Sequence, residues 1–503
     1  MNLEGNYILA LDQGTSSSRA IIYNAMGEAV SSAQTAIKMK HPENGWVEQD
    51  PEEIWSSIIE VGRRAISGLE VSPASIRAIG ITNQRETTLV WNKRTGQCVY
   101  DAIVWQDRRT TSICDRMRNE IWRGRSLAEY ISEKTGLLID PYFSSTKLAW
   151  ILSEIVGKDE SIDAEELLFG TVDSYLIWRL TGGSSHITDV TNASRTQLLD
   201  IETRCWDYNL LEYFNIPAAL LPKVANSADK FGIAEERWFG AAIPITGVAG
   251  DQQAALIGQC CFDEGMSKAT LGTGCFVMVN TGLKRNKPSD GLLTTIAYGL
   301  DGEVAYASEG SVFVAGQAVK WLRDQLGIIK EAKDTEESFV RTKGDSGGVS
   351  VVPAFTGLGA PYWDAEARGL ISGLTLDSTA DQIIVATIQS VAFQVADLFE
   401  IMGKNGSVAG QLRVDGGMAV NKSFCQFMSD ILDLPIETPA DIETTAKGAA
   451  LLAGVGAQIW EDVEEIRRLW SRGVNYRPNM PPELRKALRN EFFTAVERAR
   501  LRS

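Results

Sequence analysis

The chain has 503 residues, 44% hydrophobic and 23% charged, and a formal net charge of −16. That length is ample for two large cores, and the acidic balance argues against nucleic acid or an anionic membrane as a main partner. Any phosphate site then has to be local, made of amides, hydroxyls, a metal or a few basic residues. Only two histidines occur, His41 and His186, which nearly excludes a histidine triad or a multi-histidine metal site and leaves Asp or Glu as the general base. Seven cysteines, an odd count with no Cys-x-x-Cys and with Cys260 and Cys261 adjacent, predict a reduced cytoplasmic protein without a zinc site. The first residues carry no basic stretch followed by an apolar core, so no secretory signal is expected. No apolar run reaches about 18 residues; residues 448–457 come nearest and read as a buried helix.

Residues 8–22 read as apolar strand, tight polar turn, apolar strand. Gly14 permits a positive φ and close approach of backbone to a ligand. The turn's amides, with the hydroxyls of Thr15, Ser16, Ser17 and Ser18, suit an anion. Asp12 would repel phosphate unless a divalent cation lay between them, so the turn suggests a metal–nucleoside triphosphate. A third strand follows Met26-Gly27. Asp50 caps a helix that begins at Pro51 and carries its apolar stripe on Ile54, Ile58, Val61, Ala65 and Ile66.

Residues 76–82 form a strand that ends in six polar residues, Asn83-Gln84-Arg85-Glu86-Thr87-Thr88. Two readings are open: a ligand clamp at the sheet's end, where α/β folds place ligands, or a surface loop with a local ion pair. Residues 90–93 and 99–100 read as a hairpin. Trp105 is either core or a flat wall for a carbon chain, Tyr142 is a candidate reader of a substrate hydroxyl, and His186 reads as structural. Residues 243–248 are a buried strand leading into Gly250-Asp251-Gln252-Gln253. Asp251 either caps the next helix or projects into a cleft, and three polar side chains in a row exceed what a cap needs.

A second hairpin, residues 268–279, repeats the Gly-Thr turn, with Gly14 and Gly272 placed 258 positions apart. Two such hairpins half a chain apart predict two domains of one fold facing a shared cleft. Ser308-Glu309-Gly310-Ser311 precedes an expected helix over 312–326 that contains Gly316. Residues 355–364 form a Gly/Pro/aromatic loop and residues 382–402 a long apolar helix. Residues 412–421 read as strand, Gly-Gly and helix, where a flat base can approach backbone. Residues 482–500 form a terminal amphipathic helix. No P-loop and no Gly-x-Gly-x-x-Gly after a strand is present.

At residues 12–19, 83–88, 105–110, 250–256, 272–276 and 415–417 the chain resembles the glycerol-phosphorylating members of the FGGY carbohydrate kinase family, from the first strand to at least Gly454. The resemblance implies an α/β fold of two ribonuclease H-like (actin-like ATPase) domains flanking a central cleft, divided as 1–254 and 255–503. It implies ATP-dependent phosphorylation of glycerol to sn-glycerol 3-phosphate with Mg2+, in a cytoplasmic homodimer or homotetramer without nucleic acid or membrane insertion. Asp251 would be the general base. Arg85, Glu86, Tyr142, Asp251 and Gln252 would hold the hydroxyls, with Trp105 and Phe276 along the carbon backbone. Asp12 would position Mg2+. Thr15, Ser16, Ser17, Arg19 and Thr273 would address the phosphates, and Gly316, Lys320, Gly417 and Asn421 the adenosine.

Four departures accompany the resemblance. Lys320 stands where many relatives carry Gln, and Asp107 where some carry Cys. Residues 239–242 lack the longer Gly-rich, Arg-bearing loop that binds fructose 1,6-bisphosphate in regulated relatives, and no histidine follows His186 to be phosphorylated. Two rival readings are a kinase of this family for another polyol or ketose, and a non-enzymatic ATP-fold protein.

Overall fold

The computed structural model describes residues 6–501 except 70, 289, 290 and 365. Its first sheet contains β1 (Tyr7–Gln13), β2 (Ser17–Asn24), β3 (Ala29–Ala36), β4 (Ile76–Asn83), β5 (Ala228–Ala234) and β6 (Ile243–Gly250), in the order β5-β6-β4-β1-β2-β3. β1 pairs antiparallel with β2 and parallel with β4, and β6 runs parallel to β4. Helix α1 (Pro51–Ser67) covers this sheet. The Asp50 side chain accepts from the Glu52 amide as its cap, and Ile54, Ile58, Val61, Ala65 and Ile66 are buried as the stripe requires.

The second sheet repeats the pattern. After helix α2 (Asp251–Gly258) come β7 (Met266–Leu271), β8 (Cys275–Gly282), β9 (Leu293–Leu300) and β10 (Glu303–Val312). Then follow α3 (Gly316–Asp324), α4 (Ala380–Lys404), β11 (Gln411–Asp415), α5 (Lys422–Leu432), β12 (Ile436–Pro439), α6 (Thr444–Gly456), β13 (Arg472–Tyr476) and α7 (Pro482–Arg500). The strand order is β9-β10-β8-β7-β11-β12-β13. β7 relates to β8 and β11 as β1 does to β2 and β4: one antiparallel neighbour through a tight turn, one parallel neighbour through a crossover.

Helices α2 and α6 join the two sheets. α6 packs on β1, β4 and β6 of the first sheet, while α2 touches β7, β8 and β9 of the second. They cross in direct backbone contact. A Cβ on Gly448 would fall 1.8 Å from the Ala254 carbonyl oxygen, and one on Gly258 1.9 Å from that of Thr444. Only glycine fits at this crossing, and it brings the ends of both sheets onto one cleft.

One expectation is corrected. Residues 308–312 belong to strand β10, and the helix starts only at Gly316. The cause is tertiary, because β10 is paired along both edges, with β8 and β9. Gly14 does not use the positive φ open to it; the need there is space, since a Cβ would lie 3.2 Å from the Ser17 carbonyl. Among the described residues one helix, α4, is long and apolar enough to cross a membrane, and 78% of its most apolar window is buried inside the fold. The strand Leu89–Asn92 turns back at residues 93–96 as expected, with the Val99 amide donating to the Val90 carbonyl and the Asn92 amide to the Gln97 carbonyl, and it also pairs antiparallel with Leu167–Gly170.

Candidate active site

Three adjacent parallel strands, β1, β4 and β6, end at the cleft floor and deliver Asp12, the segment 83–88 and Asp251 side by side. This is the carboxyl edge where open α/β sheets bind ligands. The whole of 83–88 is buried, which removes the surface-loop reading. Glu86 adopts φ 59°, a left-handed conformation uncommon for a residue with a side chain.

Arg85 is the hub. Its Nη1 and Nη2 donate to the two Glu309 carboxylate oxygens, each at 2.8 Å. Nε lies 3.2 Å from Asp251 Oδ1, and Nη1 reaches Gln253 Oε1 at 3.2 Å. Nη2 donates to the Tyr142 hydroxyl at 3.4 Å. Gly250 makes room for this side chain, since a Cβ there would fall 2.7 Å from Arg85 Cγ and Cδ. Arg195 closes a ring: Nε donates to Glu86 Oε1 at 2.7 Å and Nη2 to Glu309 Oε1 at 3.2 Å. Arg85, Glu86, Arg195 and Glu309 are each at most 2% exposed. Burial raises the Glu309 carboxyl, but Arg195 and Arg85 overcome it and hold the group at about 2. At Glu86 burial prevails over the same two arginines and the shift is upward.

Asp251 is the first residue of α2. Its Oδ1 accepts from the Gln252 amide at 2.7 Å, and 30% of its side chain remains exposed to the cleft. It therefore serves both readings, helix terminus and cleft carboxylate. Gln252 is buried and turned away, accepting at Oε1 from the buried Lys268 ammonium, so Gln253 takes the place beside Arg85. Burial lowers the Lys268 pKa. The wall is aromatic and spans both lobes. Trp105 meets Tyr142 at 5.5 Å and Phe276 of β8 at 6.2 Å, both edge to face. Trp105 Nε1 donates to Thr15 Oγ1 at 2.9 Å, tying the wall to the first turn.

The first turn holds Asp12 opposite Arg19 in the β1–β2 register. Burial pushes the Asp12 carboxyl up to about 7; Arg19 pulls it down and Asp251 adds to the rise. Arg19 forms an ion pair with Glu443, at the start of α6. Ser17 Oγ accepts from Gln34, and Ser16 is exposed. From the second lobe, the Thr273 carbonyl accepts from the amides of Ala315 and Gln317, which seats the start of α3 on the turn. A cavity of about 800 Å³ opens here, lined by Gln106 of the first lobe and by Thr273, Gln317, Lys320, Trp321 and Thr356 of the second.

Gly316 packs directly on the Gly272 carbonyl, and a Cβ on Gly417 would meet open space. Asn421 departs from expectation. Its Oδ1 caps α5 by accepting from the Phe424 amide, and its Nδ2 donates to Thr335 Oγ1, so the side chain is committed to structure. Asp107 is likewise structural, bonded to the Val47 amide and to Arg109. His186 lies 2.8 Å from the Phe169 carbonyl and edge-on to Trp91, a packing position. Sequence reasoning missed Arg195, Lys268 and Glu309, and of the two glutamines it had singled out it gave the hydroxyl contact to Gln252, whereas Gln253 is the one on Arg85. A charged or amide side chain inside a strand or beside a polar run was the one available signal.

Two lobes of like topology, each offering a turn and a strand end to one cleft, define a kinase of the actin-like ATPase fold. The pattern of the FGGY family of carbohydrate kinases matches at residues 7–258 for its N-terminal domain and 267–457 for its C-terminal domain. The chain is 51% identical to glycerol kinase 2 of Thermotoga maritima, over 98% of each chain. It is 50% identical to glycerol kinase of Alteromonas mediterranea, over 99% of each. The crystal structure of Plasmodium falciparum glycerol kinase with ADP superposes with a TM-score of 0.89 at 35% identity, covering 99% of both chains. This chain belongs to the FGGY family of carbohydrate kinases.

Proposed function

We propose that this protein phosphorylates glycerol with ATP, giving sn-glycerol 3-phosphate and ADP, the first step of glycerol catabolism. Near 50% identity to glycerol kinases over almost the full length supports this reading over a kinase for another polyol or ketose. The observation that carries it is the Asp251 carboxylate, open to the cleft and held 3.2 Å from Arg85 beside a cross-lobe aromatic wall. In this reading Arg85, Glu86 and Tyr142 bind the hydroxyls, and Trp105 and Phe276 flank the carbons. Asp251 takes the proton of the terminal hydroxyl as its oxygen bonds the γ-phosphorus and the bond to ADP breaks. Such transfer depends on alignment and charge stabilisation more than on covalent chemistry.

The cleft floor fits a divalent cation. Asp12 and Asp251 stand close enough for their charges to repel, and both offer hard oxygen. Among the described residues no group of three or more His, Cys, Asp or Glu could hold a metal, so phosphate oxygens and water must complete the shell. Asp12 would hold Mg2+, which when bound neutralises phosphate charge. Thr15, Ser16, Ser17, Arg19 and Thr273 take the phosphates in this reading, and Gly316, Lys320 and Gly417 border the nucleoside. The reading also includes a division of the lobes at 254/255, a cytoplasmic location and a homodimer or homotetramer. Free cysteines throughout the described residues support the cytoplasmic part.

The test is ATP-dependent phosphate transfer, with Mg2+, to glycerol, dihydroxyacetone, erythritol, xylulose and ribulose. Glycerol is expected to lead by orders of magnitude in kcat/KM, because a site of buried polar clamps rejects analogues that leave them unpaired. A longer polyol in the lead would leave the fold and the base in place and overturn the substrate. No transfer at all would favour a binding protein.

A further inference from the structure

We propose that Glu309, a residue of the second lobe, is the positioning residue for the glycerol clamp of the first. The inference rests on the reading that Arg85 and Glu86 hold glycerol. Glu309 lies on β10, opposite Met278 and Leu293 on its two flanking strands. A carboxylate at 1% exposure in that setting needs a reason. Buried ion pairs contribute little to stability compared with apolar packing, so four buried charges are a poor device for holding a fold together. They are a good device for holding a planar group in one orientation. Glu309 takes both terminal nitrogens of Arg85 at 2.8 Å, the bidentate geometry in which any rotation of the guanidinium loses two bonds.

The consequence falls on what remains. With both terminal nitrogens engaged, Nε stays on Asp251 and the outer edge stays near Tyr142. Glu309 also holds Arg195, whose Nε fixes the Glu86 carboxylate. Arg195 Nη1 is buried and has no partner among the described residues, so the ring still has one donor to give. Remove the Glu309 charge and Arg85 is drawn to the remaining carboxylates, Glu86 at 3.9 Å and Asp251 at 3.2 Å. Those are the oxygens that glycerol hydroxyls need. The clamp is thus assembled from both lobes.

Steady-state kinetics of full-length wild type and Glu309→Gln, with glycerol and MgATP varied separately, test this. The expected result is a rise in KM for glycerol of roughly tenfold to a hundredfold, the worth of a hydrogen bond to a charged group, with KM for MgATP changed by less than about threefold. Glu309→Asp, which keeps the charge, should recover part of the loss; it also serves as the test variant if Glu309→Gln does not fold. A merely structural role would lower the active fraction and leave both KM values in place, and that outcome overturns the proposal. Wild type that fails to phosphorylate glycerol overturns the functional reading itself, a result distinguishable from a variant that matches an active wild type.

Discussion

Asp251 and Asp12 stand at neighbouring strand ends, and the structure gives them different surroundings. Asp251 is open to the cleft and bonded to Arg85. Asp251→Asn is expected to lower kcat by roughly 10²–10⁴-fold, the usual range for a general base, with KM for MgATP little changed; unchanged turnover contradicts the assignment. Asp12 sits in surroundings that raise its pKa from 3.8 to about 7. Between those values the folded protein keeps a proton that the unfolded chain has released, so this group's contribution to stability falls as pH rises toward 7. Thermal melts of ligand-free Asp12→Asn should show a flatter loss of stability from pH 5 to pH 8 than wild type, together with reduced turnover. An equal slope in both proteins would show that Asp12 does not carry this proton.

At the scale of elements, the crossing of α2 and α6 is the point of least tolerance. Gly448→Ala places a methyl 1.8 Å from a backbone oxygen that cannot rotate away. Its cost is expected to be about 3 kcal/mol or more, from overpacking without a flexible neighbour to yield. Urea denaturation of wild type and variant measures it, and a loss below about 1 kcal/mol would mean that the helices slide apart easily. Many elements were legible in the sequence. Asp50 followed by Pro51 marks a helix start, and an apolar run ending in six polar residues marks a strand that feeds a site. Residues 308–312 were not legible, because Ser, Glu and Gly suit a helix entrance locally and only pairing with β8 and β9 makes them strand. Asn421 is a different case: the resemblance implies a place for it at the adenosine, and in the fold its side chain is a helix cap.

For the whole molecule, the segment before β6 bears on regulation. Glu236–Phe239 is a single short helix that ends at Gly240, and Phe239 is buried against α1 near Gly62. No extended basic loop stands there to take a bisphosphate. Fructose 1,6-bisphosphate at millimolar concentration should leave glycerol phosphorylation essentially unchanged, and strong inhibition in that assay would refute the reading.

The amino-acid sequence by itself determined the repeated hairpins, the burial of each sheet, the polar strand ends and the family, because these depend on local chemistry and spacing. The partners of those strand ends were decided by the tertiary structure. Arg85 and Glu309 are 224 residues apart, and Arg195 and Glu86 are 109. Nothing in local composition pairs them. They meet because two sheets of the same topology close on one cleft, and once buried there each charge must find its opposite.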